Sequence, residues 1–230
     1  MAIYDNPKIV TDGLVLCLDA GNSKSYPGSG TTWFDMSGQG NNGTLTNGPT
    51  FTADTRATLN FDGSNDWFST TLSIGDAATS FSWGGFFKVN ASTTYNFFLI
   101  GNYTATGTSP FFAIAFNNSG DNTFIFIRDG GSLISSENTN LDLNTWYYLV
   151  GVRDASANQI RLYVNGELRG TQTFSGSLSV KSSTNNFGGV RHLSNHLNCS
   201  IGLVHVYNNR ALTQEEIQQN FNATRKRFGI

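Results

Sequence analysis

Charged residues are scarce in this sequence. Of its 230 residues, 14 are Lys or Arg and 16 are Asp or Glu, so that charged residues make up 13%, about half of the usual ~25%. The net charge is −2, which excludes a typical nucleic-acid binder, because phosphate backbones are bound by clustered Lys and Arg. The single basic run, Arg225-Lys226-Arg227, ends a predicted helix, where cations interact favourably with the helix dipole.

Long apolar runs are also missing. No stretch approaches the ~18 apolar residues of a membrane span, so we expect no membrane insertion. The first residues, MAIYDNPK, lack the basic region and apolar core of a secretory signal. From this we expect synthesis in the cytoplasm without export by the general route. Only two cysteines occur, Cys17 and Cys199, and reduced, buried thiols are the favoured state in a protein that is not exported.

Polarity comes instead from Asn, Ser, Thr and 25 glycines, and aromatic residues reach 13%. Strand-like segments recur every 10 to 15 residues with turn residues between them, a spacing typical of a β-sandwich. We therefore predict an all-β fold of two antiparallel sheets. The length fits a single domain: residues 1–12 are predicted to form an N-terminal arm and residues 13–230 the domain.

The segment from Trp146 to Arg169 carries the strongest strand pattern. Apolar and polar residues alternate along Ile160-Arg-Leu-Tyr-Val-Asn165, as expected for a strand with one buried face. The dipeptide Asn165-Gly166 follows directly. Because a type I′ turn needs two residues at positive φ, this dipeptide predicts a tight β-hairpin.

One helix is predicted near the C-terminus, at about residues 213–227. Thr213-Gln-Glu-Glu216 forms a capping box, in which the threonine hydroxyl accepts from the amide of Glu216 and the glutamate side chain bonds back. Leu212 and Ile217 occupy the two positions of a hydrophobic staple.

Several fragments in consistent order resemble laminin-G-like domains of the concanavalin A-like lectin/glucanase superfamily. They are the LYVNGEL hairpin, FDMSGQGNNGTL at 34–45, LNFDGSNDW at 59–67, and IGLVHVYNNRALTQEEIQQNF at 201–221. The resemblance spans roughly residues 11–222 and implies a jelly roll closed by one short C-terminal helix. With its Asn-, Ser- and Thr-rich loops, this sequence is similar to single-domain copies of the fold that are encoded by tailed, particularly marine, bacteriophages. The same resemblance places the strands of Cys17 and Cys199 next to each other, which leaves a disulfide open as an alternative.

The resemblance implies a scaffold used mostly for recognition and adhesion, with enzymes as a minority. Glycoside hydrolysis needs two carboxylates about 5–10 Å apart, which hydrolases of the superfamily place along one strand. The four glutamates of this chain are Glu137, Glu167, Glu215 and Glu216, and none belongs to such a pattern. We therefore predict that the protein is not an enzyme. The histidines support this view: His192 and His196 fall in a predicted loop, and His205 is predicted to be a half-buried strand residue.

Calcium is the cofactor that the resemblance suggests, because many related domains hold one Ca²⁺ at a rim. Calcium binds six to eight oxygens, often from carboxylates. Asp62 and Asp66 flank a turn and could supply two of them. The alternative, which we favour, is that these side chains only bond the backbone of their own turn. No cofactor is therefore expected, with calcium as the exception to examine.

Sugar binding would use aromatic faces together with amide groups in loops. The candidate residues are Trp33, Tyr95, Tyr103, Asn117 and Asn118. Each has a structural alternative: Trp33 could close one end of the sandwich, and isolated exposed aromatic residues need no functional explanation.

The predicted function is a non-enzymatic virion protein that decorates a capsid or forms part of a tail or fibre and attaches to host surface glycans. Its partners would be other virion proteins, further copies of itself or a surface glycan. Ile3, Tyr4 and Pro7 in the arm are candidates for docking onto a neighbour by strand addition. The alternative is a carbohydrate-binding module, stand-alone or on a cell surface, with an extracellular or cell-surface location. A glycoside hydrolase is the third candidate.

Overall fold

The computed structural model describes residues 7–72, 74, 79–91, 97–102, 111–117, 122–129, 132–135, 139–173, 187–189, 191–192 and 195–230. These residues form antiparallel β-strands arranged in two large sheets and one C-terminal α-helix. The all-β fold class is thereby confirmed.

The strands of the first half, in chain order, are Leu14–Asp19 (β1), Thr32–Trp33 (β2), Gly43–Thr46 (β3), Thr50–Thr52 (β4), Thr58–Asp62 (β5), Trp67–Thr70 (β6), Phe81–Val89 (β7), Phe97–Asn102 (β8) and Phe111–Asn117 (β9). The elements that follow are Asn122–Asp129 (β10), Ser132–Ser135 (β11), Thr139–Asn140 (β12), Trp146–Asp154 (β13), Gln159–Val164 (β14), Glu167–Thr173 (β15), Phe187–Gly189 (β16), Arg191–His192 (β17), Asn195–His196 (β18), Asn198–Asn208 (β19) and the helix Gln214–Phe228 (α1).

The first sheet has the strand order β15-β14-β13-β7-β19-β5-β4, with β1 also paired to β19. Its central strand, β19, pairs along its length with β7 on one side. On the other side, it pairs with β5 through residues 198–201 and with β1 through residues 203–207. The second sheet has the order β11-β10-β9-β8-β16-β6-β3-β2, with β12 paired to β10. Strands distant in sequence therefore lie side by side in both sheets.

The main core fills the space between the two sheets and is rich in aromatic rings. Trp83 of the first sheet packs edge-on against Phe112 of the second at 4.8 Å between ring centroids, and Phe81 lies 4.6 Å from the same ring. All three side chains are fully buried. Ile160, Leu162 and Val164 of β14 belong to this core, as the alternation predicted, whereas Tyr163 is buried on the opposite face.

A second core lies on the outer face of the first sheet, where α1 covers it. Phe228 stacks on Phe86 of β7 with 4.1 Å between centroids, and Ile217 is fully buried against the same face. The capping box of Thr213 and Glu216 is formed as expected, and the helix ends at Gly229 with φ 76°. The helix begins and ends one residue later than the predicted 213–227.

The hairpin β14–β15 confirms the sequence interpretation. Asn165 and Gly166 have φ values of 52° and 85°, which only turn residues such as Asn and Gly adopt readily. Val164 and Glu167 pair directly on either side of the turn.

The two cysteines are free and lie on opposite faces of the first sheet. Cys17 packs in the outer core under α1, whereas Cys199 packs in the core between the sheets. Burial raises the pKa of the Cys17 thiol to about 12 and that of the Cys199 thiol well above its ordinary value. The geometry therefore gives no disulfide, although the strands are neighbours.

A buried polar network joins the N-terminal segment and α1 to the first sheet. Asn220 of α1 accepts a hydrogen bond from the amide of Val10 at 2.7 Å and donates one to the hydroxyl of Tyr207 at 3.0 Å. The Tyr207 hydroxyl in turn donates to the carbonyl of Val10 at 2.9 Å. Nearby, the Tyr148 hydroxyl lies 2.9 Å from Nε2 of His205. His205 is fully buried, which corrects the half-buried position expected from sequence, because α1 covers this face.

Candidate functional site

An open groove of about 200 Å³ lies beside β4, between the loop that follows β1 and the connection from β4 to β5. Two aromatic residues, Tyr26 and Phe51, and one carboxylate, Asp54, stand out in its lining. The complete lining is Ala20, Gly21, Ser23, Tyr26, Pro27, Gly28, Phe51, Ala53, Asp54 and Ala57. We call it the Tyr26–Phe51 groove.

The loop on one side of the groove is held by buried hydrogen bonds. The amides of Ser25 and Tyr26 both donate to the carbonyl of Asn22 at 2.8 Å. The buried Ser25 hydroxyl donates to the carbonyl of Phe34 at 2.6 Å and accepts from the amide of Asp19 at 3.0 Å. Because these bonds fix both ends of the loop, the groove wall is preformed in the free protein.

Tyr26 and Phe51 form the aromatic part of the groove. Their ring centroids are 5.3 Å apart at an interplanar angle of 59°, within the range of favourable tilted pairs. Tyr26 is buried, and its hydroxyl donates to the carbonyl of Gly30 at 3.0 Å. Burial raises the pKa of Tyr26 above its ordinary value. Phe51 is half-buried and thus offers part of its ring to a ligand.

Asp54 supplies a carboxylate on the wall formed by β4 and its connection to β5. One of its oxygens, Oδ1, accepts from the amides of Arg56 at 2.9 Å and Ala57 at 3.0 Å, which closes the turn. The other oxygen, Oδ2, is 3.8 Å from the guanidinium of Arg56. Both side chains are about half exposed, 46% and 45%, so this ion pair contributes little to stability. The outer carboxylate oxygen stays accessible as an acceptor.

The chemistry of the Tyr26–Phe51 groove is that of binding. An aromatic surface with a few fixed polar groups is typical of small-molecule sites, although this volume is below the ~300 Å³ at which such pockets usually begin. It therefore fits one ring of a larger ligand. Acid–base hydrolysis of a glycoside would need a second carboxylate, and Asp54 is the only carboxylate in the lining.

A second polar surface covers the outer face of the first sheet beside α1. Strand pairing aligns Thr50, Asn60, Ser200, Lys88 and Trp146 in one row across five strands. The Asn60 amide nitrogen donates to the hydroxyl of Thr52 at 2.8 Å, and its oxygen accepts from Ser200 at 2.7 Å. Lys88 Nζ lies 5.8 Å from the centre of the Trp146 ring. We call this surface the Asn60 row.

The structure corrects the assignment of Trp33 as a sugar-binding residue. Its side chain is fully buried and packs edge-on against Phe68 with 5.7 Å between ring centroids. A ring enclosed in the core has no face left for a sugar, so the structural alternative applies. Of the other candidates, Tyr95, Tyr103 and Asn118 lie outside the described residues, and Asn117 is described only as the last residue of β9.

Asp62 and Asp66 close their own turn. Asp62 Oδ1 accepts from the amide of Ser64 at 2.7 Å, and Asp66 Oδ2 accepts from the amide of Asp62 at 3.2 Å. The bond from Ser64 lowers the pKa of Asp62, whereas burial raises that of Asp66. Within the described ranges, no group of three or more His, Cys, Asp or Glu side chains could hold a metal ion. Calcium binding gains no support from this geometry.

Pro7 is exposed, whereas Ile3 and Tyr4 lie outside the described residues. His192 and His196 belong to the two-residue strands β17 and β18, which pair with each other. Glu137 lies outside the described residues, Glu216 binds Arg210 and the amide of Thr213, and Glu167 accepts from Gln218 at 3.2 Å.

The family model described as the concanavalin A-like lectin/glucanases superfamily matches residues 62–218, more than half of the chain. The chain belongs to this superfamily. Its two antiparallel sheets and closing helix are those of the jelly roll expected from the sequence. No curated protein matches the chain in sequence.

Solved structures of binding domains share this superfamily fold. The binding domain of Botulinum neurotoxin DC in complex with rat synaptotagmin II has a TM-score of 0.72 and 14% identity, over 94% of this chain and 52% of that one. The binding domain of Paraclostridial Mosquitocidal Protein 1 has a TM-score of 0.72 and 15% identity, over 93% and 52%. At such identities, the likeness shows the fold alone, and the superfamily member described here spans about half the length of these chains.

A third similar structure concerns botulinum neurotoxin type C, whose cell entry is dependent upon interaction with two ganglioside molecules. Its TM-score is 0.68 at 15% identity, with 94% of this chain and 52% of that chain covered.

In the described part of this superfamily member, the single helix is too short and too polar to cross a membrane.

Sequence reasoning did not find the Tyr26–Phe51 groove. Tyr26, Phe51 and Asp54 come from two separate segments, and neither contains a motif for binding. The only signal available is that Phe51, between two threonines in an otherwise polar stretch, needs an apolar neighbour.

Proposed function

We propose that this protein is a non-enzymatic recognition module that binds a carbohydrate unit in the Tyr26–Phe51 groove. The observation behind this proposal is the groove itself, whose lining combines a half-buried aromatic ring with an accessible carboxylate. The apolar face of a sugar ring would lie on Phe51, and its hydroxyl groups would donate to Asp54. The hydroxyl of Ser23 on the rim adds a further polar contact.

Two considerations favour binding over catalysis. The groove has one carboxylate in its lining. Of the described glutamates, Glu167 and Glu216 are hydrogen-bonded within the structure, and Glu215 is exposed in the first turn of α1. The similar solved structures are binding domains. If turnover of an oligosaccharide were detected and survived in an Asp54→Asn variant, a catalytic site elsewhere would replace this proposal.

We further propose that the module serves in a virion, as a capsid decoration or a tail or fibre component that attaches to glycans of the host surface. This rests on the resemblance to phage-encoded single-domain copies. The partners would be other virion proteins, and the location the virion. The alternative remains a carbohydrate-binding module that is extracellular or on a cell surface. Mass spectrometry and immunogold labelling of purified particles decide this point, since the virion role predicts the protein at stoichiometric copy number on particles.

The groove is tested by glycan binding. An array of neutral and sialylated glycans, probed with and without EDTA, is expected to give ligands, and the best is titrated by calorimetry. Phe51→Leu keeps apolar bulk against Tyr26 but removes the flat ring, and we expect about a tenfold rise in Kd, as for loss of a moderate interface contact. Asp54→Asn keeps the Oδ1 acceptor of the turn and is expected to weaken binding by a similar factor through loss of charge.

The matched control is Lys88→Gln, which changes the Asn60 row and leaves the groove intact. Its Kd should equal that of the wild type. If Lys88→Gln abolished binding while Phe51→Leu had no effect, the Asn60 row would be the site and the groove proposal would be wrong. An array without any ligand at high protein concentration would reject carbohydrate recognition altogether.

A further inference from the structure

The edge strand β15 is long and exposed. Six of its seven residues are exposed, Gly170 being the exception. It pairs with β14 on one side, and no described residue pairs with its other side. Leu168 is 48% exposed, which makes it the most exposed large apolar side chain in the described ranges. Free strand edges are templates for pairing with another chain.

Other edges of the first sheet are short or covered. Strand β4 has only three residues. The outer edge of β1 is covered by the loop after β2: the amide of Cys17 donates to Asp35 at 2.8 Å, the amide of Met36 donates to the carbonyl of Cys17 at 2.8 Å, and Asn41 Nδ2 donates to the carbonyl of Val15 at 2.8 Å. Among the residues that the structure describes, β15 is therefore the long edge of this sheet without a neighbouring strand.

Hydrogen-bond alternation identifies the part of β15 that can pair. Val164 and Glu167 flank the two-residue turn and pair with each other, and such a flanking pair exchanges hydrogen bonds. The next pair, Tyr163 with Leu168, is then a non-hydrogen-bonded pair, because the two kinds alternate in antiparallel ladders. The N–H and C=O of Leu168 therefore point away from β14, towards the free edge.

The sequence around Leu168 is complementary to itself. An antiparallel pairing centred on Leu168 places Glu167 of one copy opposite Arg169 of the other, and the reverse pair forms on the opposite side of the two-fold axis. Glu167 and Arg169 are both exposed, and neither has an ion-pair partner among the described residues. Opposite charges facing each other across strands stabilise a pairing.

The hairpin tip is also held rigid by α1. Gln214 donates to the carbonyl of Gly166, and Gln218 Nε2 donates to Glu167 at 3.2 Å. The edge is thus preorganised, which lowers the entropic cost of association. The pairs Leu162–Gly170 and Tyr163–Leu168 leave Arg169 as the extra residue of a β-bulge in β15, so regular pairing along this edge ends at Arg169. The contact is consequently short, and contacts of small area are weak or transient.

We propose that β15 is a self-association edge through which two copies of this chain form an isologous dimer centred on Leu168. The dimer joins two eight-stranded sheets into one. The Tyr26–Phe51 grooves lie beside β4, at the far edges of this joined sheet, roughly 60 Å apart at the usual strand spacing. The association itself does not depend on what the grooves bind.

The test uses charge exchange and sedimentation equilibrium of the full chain, from low micromolar to about 500 µM, which covers dissociation constants in the micromolar range. Wild type is expected to show a monomer–dimer equilibrium. Glu167→Arg and Arg169→Glu each place like charges opposite each other twice, and each should lower the association constant about tenfold. An equimolar mixture of the two variants restores both opposite-charge pairs and should associate to within about threefold of wild type.

Circular dichroism and thermal melting first confirm that each variant is folded. A wild type that stays monomeric at every concentration overturns the proposal. So does a dimer that both single variants leave unchanged, because its interface would lie elsewhere. Single variants that weaken the dimer without rescue in the mixture would also reject the Leu168-centred register.

Discussion

Replacement of Gly85 by alanine is expected to unfold the protein or to cost at least about 4 kcal/mol of unfolding free energy, at the severe end of single substitutions. Gly85 is buried in the middle of β7 and pairs with Val204 of β19 on one side and Leu149 of β13 on the other. A β-carbon built on Gly85 overlaps the carbonyl oxygen of Leu203 and lies 2.9 Å from its carbonyl carbon. Backbone atoms of a central strand cannot yield as a flexible side chain does, so the sheet itself must deform.

Urea denaturation followed by tryptophan fluorescence measures this loss. The matched control is Gly21→Ala, where the added carbon overlaps the guanidinium of Arg227, which is the movable end of a long side chain. We expect the control to cost less than about 1 kcal/mol, the usual range for surface positions. Equal losses in the two variants would show that close approach of the backbone at Gly85 does not determine stability.

We expect His205 to make the unfolding free energy depend on pH. Burial lowers the pKa of its imidazole from 6.5 to about 3. Between these two values, the unfolded chain binds one proton that the folded protein does not. Stability from this residue is therefore fully present above pH 6.5 and is lost as the pH falls towards 3, with a slope of about 1.4 kcal/mol per pH unit.

The measurement compares the wild type with His205→Gln, whose amide can still bond the Tyr148 hydroxyl. Carboxylates titrate in both proteins, so the difference between their unfolding free energies isolates the histidine. We expect this difference to be constant above pH 7 and to shift against the wild type by about 1.4 kcal/mol per unit between pH 6 and 4. Tyr148→Phe keeps the imidazole and should keep the wild-type slope. A difference independent of pH would mean that His205 accepts a proton in the folded state.

Local patterns in the sequence predicted local structure well. The capping box at Thr213 and the Asn165-Gly166 turn depend on bonds within a few residues, and both are formed. Together with motifs in consistent order, these features were enough for the jelly roll.

What the sequence could not supply is how much of each residue remains accessible. Trp33 is a sugar-binding candidate from the sequence because it is an aromatic residue in a loop-rich region, yet Phe68, far along the chain, packs against it. The sequence predicts a half-buried strand position for His205, but α1 covers that face and the side chain is fully buried. The groove needs Tyr26 and Phe51 side by side, and only the path of β4 along the sheet edge brings them together.

The outer core has a consequence for the order of folding. It is closed by Val10 near one end of the chain and Asn220 and Phe228 near the other, and β1 pairs with β19. Contacts of such sequence separation are slow to form, since a long loop must close first. During synthesis, the apolar outer face of β13 and β7 stays uncovered until α1 has left the ribosome. Until α1 emerges, this face is open to chaperones and to aggregation.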